Sequence, residues 1–128
     1  MVVPQTANAL SQAWKLRKRD PAALLTYLKQ LSGTAICDLF KTPAEVDLVS
    51  GIVSGLKDAF TTSKPSQEDF EWLVDFLGGF SRSVGFSLIS SMLDSKDKKN
   101  VQQLMSMAEI GGAEGTHTSK VLNAFGVA

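Results

Sequence analysis

Apolar residues recur three and four apart along most of this chain, and no stretch alternates apolar and polar residues long enough to make a strand. The spacing predicts helices throughout. A first segment over residues 7–18 carries Leu10 and Trp14, and a second over 21–32 carries Leu24, Leu28 and Leu31. A short third holds Ile36, Leu39 and Phe40. The fourth has the cleanest period, Val49, Ile52, Val53, Leu56 and Phe60, and ends before Thr61. The fifth has one stripe of Phe70, Leu73, Val74 and Leu77 and a second of Trp72 and Phe76. The sixth, about residues 82–93, is again two-sided: Phe86, Ile89 and Leu93 on one side, Leu88 and Met92 beside them, with Gly85 continuing the second stripe. The seventh carries Val101, Leu104, Met105 and Ala108.

Boundary residues support these segments. Asp20-Pro21 places a capping acid before a proline whose missing N–H is harmless at the first helical position. Thr42-Pro43-Ala44-Glu45 is a capping box, Ser66 to Asp69 a weaker one, and Asp94 or Ser95 opens the seventh segment. Gly33 and Gly78-Gly79 read as stops. Gly51 and Gly55, four apart, would let a neighbouring helix approach closely. After Ile110 the run from Gly111 to Ser119 reads as a flexible linker, with Val121, Leu122 and Phe125 as one optional docking turn. The expected division is a helical domain over 1–110 and a flexible glycine-rich tail over 111–128. Connections are short, so consecutive helices are expected as antiparallel neighbours. The fold class is all-α: a single compact domain of six or seven short antiparallel helices. Its core is expected to contain Leu24, Leu28, Leu31, Leu39, Phe40, Val49, Ile52, Val53, Leu56, Phe70, Leu73, Phe86, Ile89 and Leu104.

With 128 residues, 44% apolar and 20% charged, the composition is that of an ordinary globular domain. No apolar run approaches the roughly 20 residues of a membrane span, and the first ten residues lack the features of a signal peptide. The single cysteine, Cys37, excludes an internal disulfide and points to a reducing compartment, the cytoplasm with the nucleus as a second. Net charge is zero but uneven: residues 1–33 hold five basic groups against Asp20, and residues 34–94 hold four basic against nine acidic. The cluster Lys15 to Arg19 beside Trp14 is compatible with a nucleic-acid or lipid surface. A solvated helix C-terminus is the preferred reading, since the macrodipole favours cations there and no further basic stripe or aromatic platform accompanies the cluster.

Chemistry is missing from the sequence. His117 is the only histidine and falls in the glycine-rich stretch, where a catalytic base would lack a held geometry. Cys37 sits in an apolar turn as a small hydrophobe. Glu68, Asp69, Glu71 and Asp75 read as a solvated acidic face, and Gly78-Gly79 lacks the lysine of a phosphate-binding loop. No catalytic residue, cofactor or metal is expected.

An ordered set of short matches carries a resemblance. Asp20-Pro21, Leu24 and Tyr27-Leu28-Lys29-Gln30-Leu31, then Leu39-Phe40, Ile52-Val53, Leu56, Phe86, Leu88, Met92-Leu93, Lys98-Lys99 and Leu104 resemble the C-terminal domain of the RNA polymerase II-associated protein 3 and sperm-associated antigen 1 family, over residues 7–108. The resemblance implies a docking module, monomeric as an isolated domain, at the end of a larger co-chaperone. It implies binding to the RuvB-like AAA+ ATPase ring and a tether from the ninety-kilodalton heat-shock chaperone to that ring. Large assemblies such as RNA polymerases, small nucleolar particles and dyneins would be the clients. Neither nucleic acid nor membrane is then expected as a partner. Family members usually carry an arginine before the phenylalanine of the sixth helix; here Gly85 stands there, after a longer turn, with Arg82 one turn earlier. Arg82, Gly85, Leu88 and Met92 are therefore the expected partner-binding residues.

Overall fold

The computed structural model describes residues 6–17, 19–39, 46–62, 64–83 and 86–127. Within them the chain forms eight helices and no strand: α1 (Ala7–Arg17), α2 (Pro21–Leu28), α3 (Gly33–Leu39), α4 (Val46–Thr62), α5 (Gln67–Ser81), α6 (Phe86–Met92), α7 (Ser95–Ile110) and α8 (Gly115–Ala124). Caps start the helices as their chemistry requires. The Asp20 carboxylate accepts from the Ala23 N–H at 3.2 Å. Ser66 with Asp69, and Asp94 with Asp97, each close a complete reciprocal capping box. Aspartate at the third position closes the box in both helices. The Thr42 box and Phe40 lie outside the described residues.

The main helix pairings skip neighbours. α3 lies on α5, α4 lies between α2 and α7, and α5 and α7 share α8 between them. Two glycines of α4 set the near side of the core as their spacing suggested. A side chain at Gly51 would enter the Trp14 ring of α1, and one at Gly55 would strike Leu24 of α2. Leu24, Leu28, Leu31, Val49, Ile52, Val53, Leu56, Leu73 and Leu104 are buried with Phe70, Phe86 and Ile89. Leu39 is only partly buried against them.

Gly33 and Gly79 do not stop helices. Helix α2 ends earlier, at Leu28, and Gly33 is the first residue of α3. Its N–H is accepted by the Asp75 carboxylate of α5 at 2.7 Å, which satisfies a donor that a helix start leaves open. Helix α5 continues through Gly78-Gly79 to Ser81 because the backbone of α3 lies directly on Gly79. A Cβ there would come within 2.2 Å of the Gly33 carbonyl oxygen and 2.3 Å of Ile36 Cγ2.

The expected flexible tail is a folded helix, which corrects the boundary at residue 110. Gly111-Gly112 forms a helix cap. Gly112 takes φ +107, and the N–H groups of Gly112 and Ala113 return to the carbonyls of Glu109 and Ala108, the bond pair of a left-handed C-terminal cap. The same pair recurs after α8, where Gly126 has φ +76 and the N–H groups of Gly126 and Val127 reach Asn123 and Leu122. Between the caps, Thr118, Val121 and Phe125 are buried. The Phe125 ring meets Phe86 edge to face with centroids 4.9 Å apart. The Thr118 hydroxyl donates to Glu109 Oε1 at 2.5 Å. Glycine here punctuates the chain because only glycine takes positive φ without strain; it does not loosen it.

Two stability measurements check this packing. Gly79→Ala is expected to lower unfolding free energy in urea by about 1–3 kcal/mol, because the methyl overpacks a backbone contact. Gly78→Ala meets only Arg82 Nη1, at 3.4 Å, and should raise it by up to about 1 kcal/mol through helix propensity. Phe125→Ala, at a side chain with 0% exposure, is expected to cost about 3–5 kcal/mol. A melting temperature unchanged in Phe125→Ala would show that α8 contributes nothing to the fold.

Candidate functional site

Of the four expected partner-binding residues, the structure describes the side chains of Arg82 and Met92. Met92, the last residue of α6, is 61% exposed, while Phe86, Ile89 and Leu93 turn into the core. The first stripe of that segment is therefore structural, and Met92 of the second is free at the surface. Gly85 and the side chain of Leu88 lie outside the described residues. Arg82 follows α5 as its C-cap. Its guanidinium folds back along the helix, with Nη1 beside Gly78 and Nη2 beside Gly33. That places it in a groove between α5 and α8.

The groove encloses about 710 Å³. One wall is the α5 stripe of Gln67, Glu71, Asp75 and Arg82; the other is Glu114, His117 and Lys120 of the α8 segment. Val74 and Val121 lie between them. Periodicity along α5 leaves this polar stripe in view, but the groove needs α8 as its second wall. With residues 111–119 read as a linker, that wall was invisible in the sequence.

The acidic face of α5 is largely structural. Asp75 holds the start of α3. Asp69 pairs with Lys29 of the α2 C-cap and also accepts from the Ser66 N–H. The Lys29 hydrogen bond, then the Ser66 bond, hold the Asp69 carboxyl below the ordinary carboxylate range. Glu71 accepts from Gln67 at 3.4 Å. Only Glu68 of that set is a plain solvated acid.

Trp14 and the basic cluster are likewise engaged within the fold. The Trp14 ring fills the space over Gly51. The Arg17 guanidinium stands 4.5 Å from the Tyr27 ring centre and donates to the Ala13 carbonyl at 3.2 Å. Burial pushes the Tyr27 phenol up, and Arg17 partly opposes it. Lys15 and Arg19 remain exposed; Lys18 lies outside the described residues. A stacking platform for bases needs an open ring face, and Trp14 is half-buried against α4.

The potential chemical groups are dispersed. Cys37 Sγ is partly buried and donates to the Arg82 carbonyl at 3.4 Å. His117 belongs to α8 and not to a linker, with Nε2 3.9 Å from Glu114 Oε2. No group of three or more histidine, cysteine or carboxylate side chains gathers into a metal-binding set among the described residues. None of their helices is long and apolar enough to cross a membrane.

These features define an all-helical domain. The chain belongs to the family described as the potential Monad-binding region of RPAP3, whose model matches residues 3–98. It is 28% identical over 107 residues to RNA polymerase II-associated protein 3 of Xenopus laevis, covering 84% of this chain and 16% of that protein. Its fold is that of the C-terminal domain of human RPAP3 solved by NMR, with a TM-score of 0.79, 19% identity, and coverage of 98% of this chain and 92% of the other. The family is one of protein-binding domains.

Asp69 gives a pH test of the α2–α5 link. A depressed native pKa contributes stability above the unfolded pKa, and this is lost as pH falls through the native value. Asp69→Asn is expected to lose about 1 kcal/mol at neutral pH, from the cap and the ion pair together. Urea unfolding should show the two proteins converging below about pH 3. A constant gap down to that pH would mean that the charge on Asp69 is irrelevant.

Proposed function

We propose that this domain is a non-catalytic docking module that binds the RuvB-like AAA+ ATPase ring and tethers a heat-shock-protein-90 co-chaperone to it. The observation that carries the reading is membership of the RPAP3 family across residues 3–98. The chain spans only 16% of the Xenopus relative's length. Assembly of RNA polymerase, small nucleolar particles and dynein is the work such a tether serves, in the cytoplasm. The surface assigned to the ring centres on Met92, an adaptable thioether held out from the core at the end of α6. Binding of Monad, from the family's description, is a second reading of the same domain. The nucleic-acid or lipid reading is disfavoured because Trp14 and Arg17 are occupied by Gly51 and Tyr27.

The test is a direct binding measurement between the purified domain and reconstituted RuvB-like ring, with purified Monad in a parallel arm. The wild-type domain is expected to bind the ring, and Met92→Glu to weaken binding by at least about tenfold with an unchanged melting temperature. Absence of ring binding by the wild type at micromolar concentration overturns the ring reading. Full binding by Met92→Glu moves the contact elsewhere on the domain.

A further inference from the structure

The α5–α8 groove is electrically polar along its length. Gly112, just before α8, lies against the Gln67 side chain at the start of α5. At the other end Phe125, just after α8, lies on Phe86, beyond the end of α5. The two helices therefore run in the same direction, and equivalent positions on the walls face each other. One end presents Glu71 and Glu114; the other presents Arg82 and Lys120.

The cations at the second end are unspent. Neither the Arg82 guanidinium nor the Lys120 ammonium has a carboxylate within ion-pair distance among the described residues. Asp75, the nearest acid on the same stripe, directs its carboxylate to the Gly33 N–H. At the first end, among the described residues, Glu71 is met by the amide of Gln67 and Glu114 by His117. Opposite charges thus stand at the two ends of one walled groove, with Val74 and Val121 between them. The Asp75 carboxylate shares the space over Gly33 with Arg82 Nη2 without closing an ion pair, so the guanidinium is only partly screened.

From this charge pattern we infer that the groove is a second protein-docking site, distinct from the Met92 surface. It takes an extended segment of a partner protein carrying one basic and one acidic side chain about three residues apart. The spacing follows from the geometry. Glu71 and Gly78, where the guanidinium lies, are seven residues apart on a helix, roughly 10 Å. Three residues of extended chain span a similar distance, about 10 Å. The basic side chain pairs with Glu71 and Glu114, the acidic one with Arg82 and Lys120, and small residues between them pass over the floor that the buried Val74 and Val121 close. The inference does not rest on the identity of the ring partner.

The probes are three blocked synthetic peptides on one alanine–valine backbone, carrying Lys and Glu three residues apart, two Lys, or two Glu. Each is titrated into the isotopically labelled domain while amide signals of Gly78, Gly112, His117 and Lys120 are followed by NMR. The mixed peptide is expected to shift these signals and to bind at least about tenfold more tightly than either single-sign peptide. Arg82→Glu with Lys120→Glu removes both cations, leaves the groove acidic and should reverse the preference toward the two-Lys peptide; Lys120→Glu alone serves if the double variant unfolds. No shift of the groove signals with the mixed peptide, or equal binding of all three, overturns the inference. So does retention of the wild-type preference in the charge-reversed variants.

Discussion

The contact between Gly33 and Gly79 is the constraint on which the arrangement of helices depends. Backbone rests on backbone there, with no room for a methyl group between α3 and α5. This proximity lets the Asp75 carboxylate take the first N–H of α3. It also brings Ile36 into the core and sets the Cys37 thiol on the Arg82 carbonyl. With α3 closing one side of α5, the remaining faces of α5 receive α6, α7 and α8. Trp72 reinforces the joint, donating its indole N–H to the Leu31 carbonyl just before α3 at 2.8 Å and stacking on Phe76 with centroids 4.9 Å apart.

A second joint unites the two halves of the chain. Ser50 of α4 donates to Asp97 of α7 at 2.6 Å, and Asp97 is also the residue that closes the α7 capping box. One buried carboxylate therefore starts a helix and docks it. The arrangement leaves few groups available for chemistry, because acids and the tryptophans serve the joints between helices. What remains at the surface is suited to recognition: Met92 at the end of α6, and the charged walls of the α5–α8 groove. A domain that spends its polar side chains on docking its own helices, and presents rigid surfaces to others, matches the protein-binding character of its family.

Glycine plays several distinct roles here. Gly51 and Gly55 admit a ring and a leucine, Gly79 admits a backbone, and Gly112 and Gly126 turn the chain through positive φ. Local sequence distinguishes the first pair, because they stand four apart inside a strong period. It does not distinguish a glycine that ends a helix from one that lies beneath a crossing chain. Gly33 and Gly79 read as stops for that reason. Gly111-Gly112 read as the opening of a loose tail because the helix that follows has few apolar residues, and their burial depends on α5 and α7 being in place.

The sequence by itself determined the helical class, the caps at Asp20, Ser66 and Asp94, and most of the core, since these depend on spacing and on bonds within a few residues. It also carried the family likeness, which follows the order of the same core positions. Tertiary structure alone decided that α3 lies on α5, that residues 115–124 form a docked helix, and that Met92 faces out. It likewise decided that Arg82 turns into a groove and that Trp14 is spent on Gly51. Each of these rests on a contact between residues far apart in the chain. The free energy of such a contact exists only once both surfaces are assembled, so no local pattern can announce it.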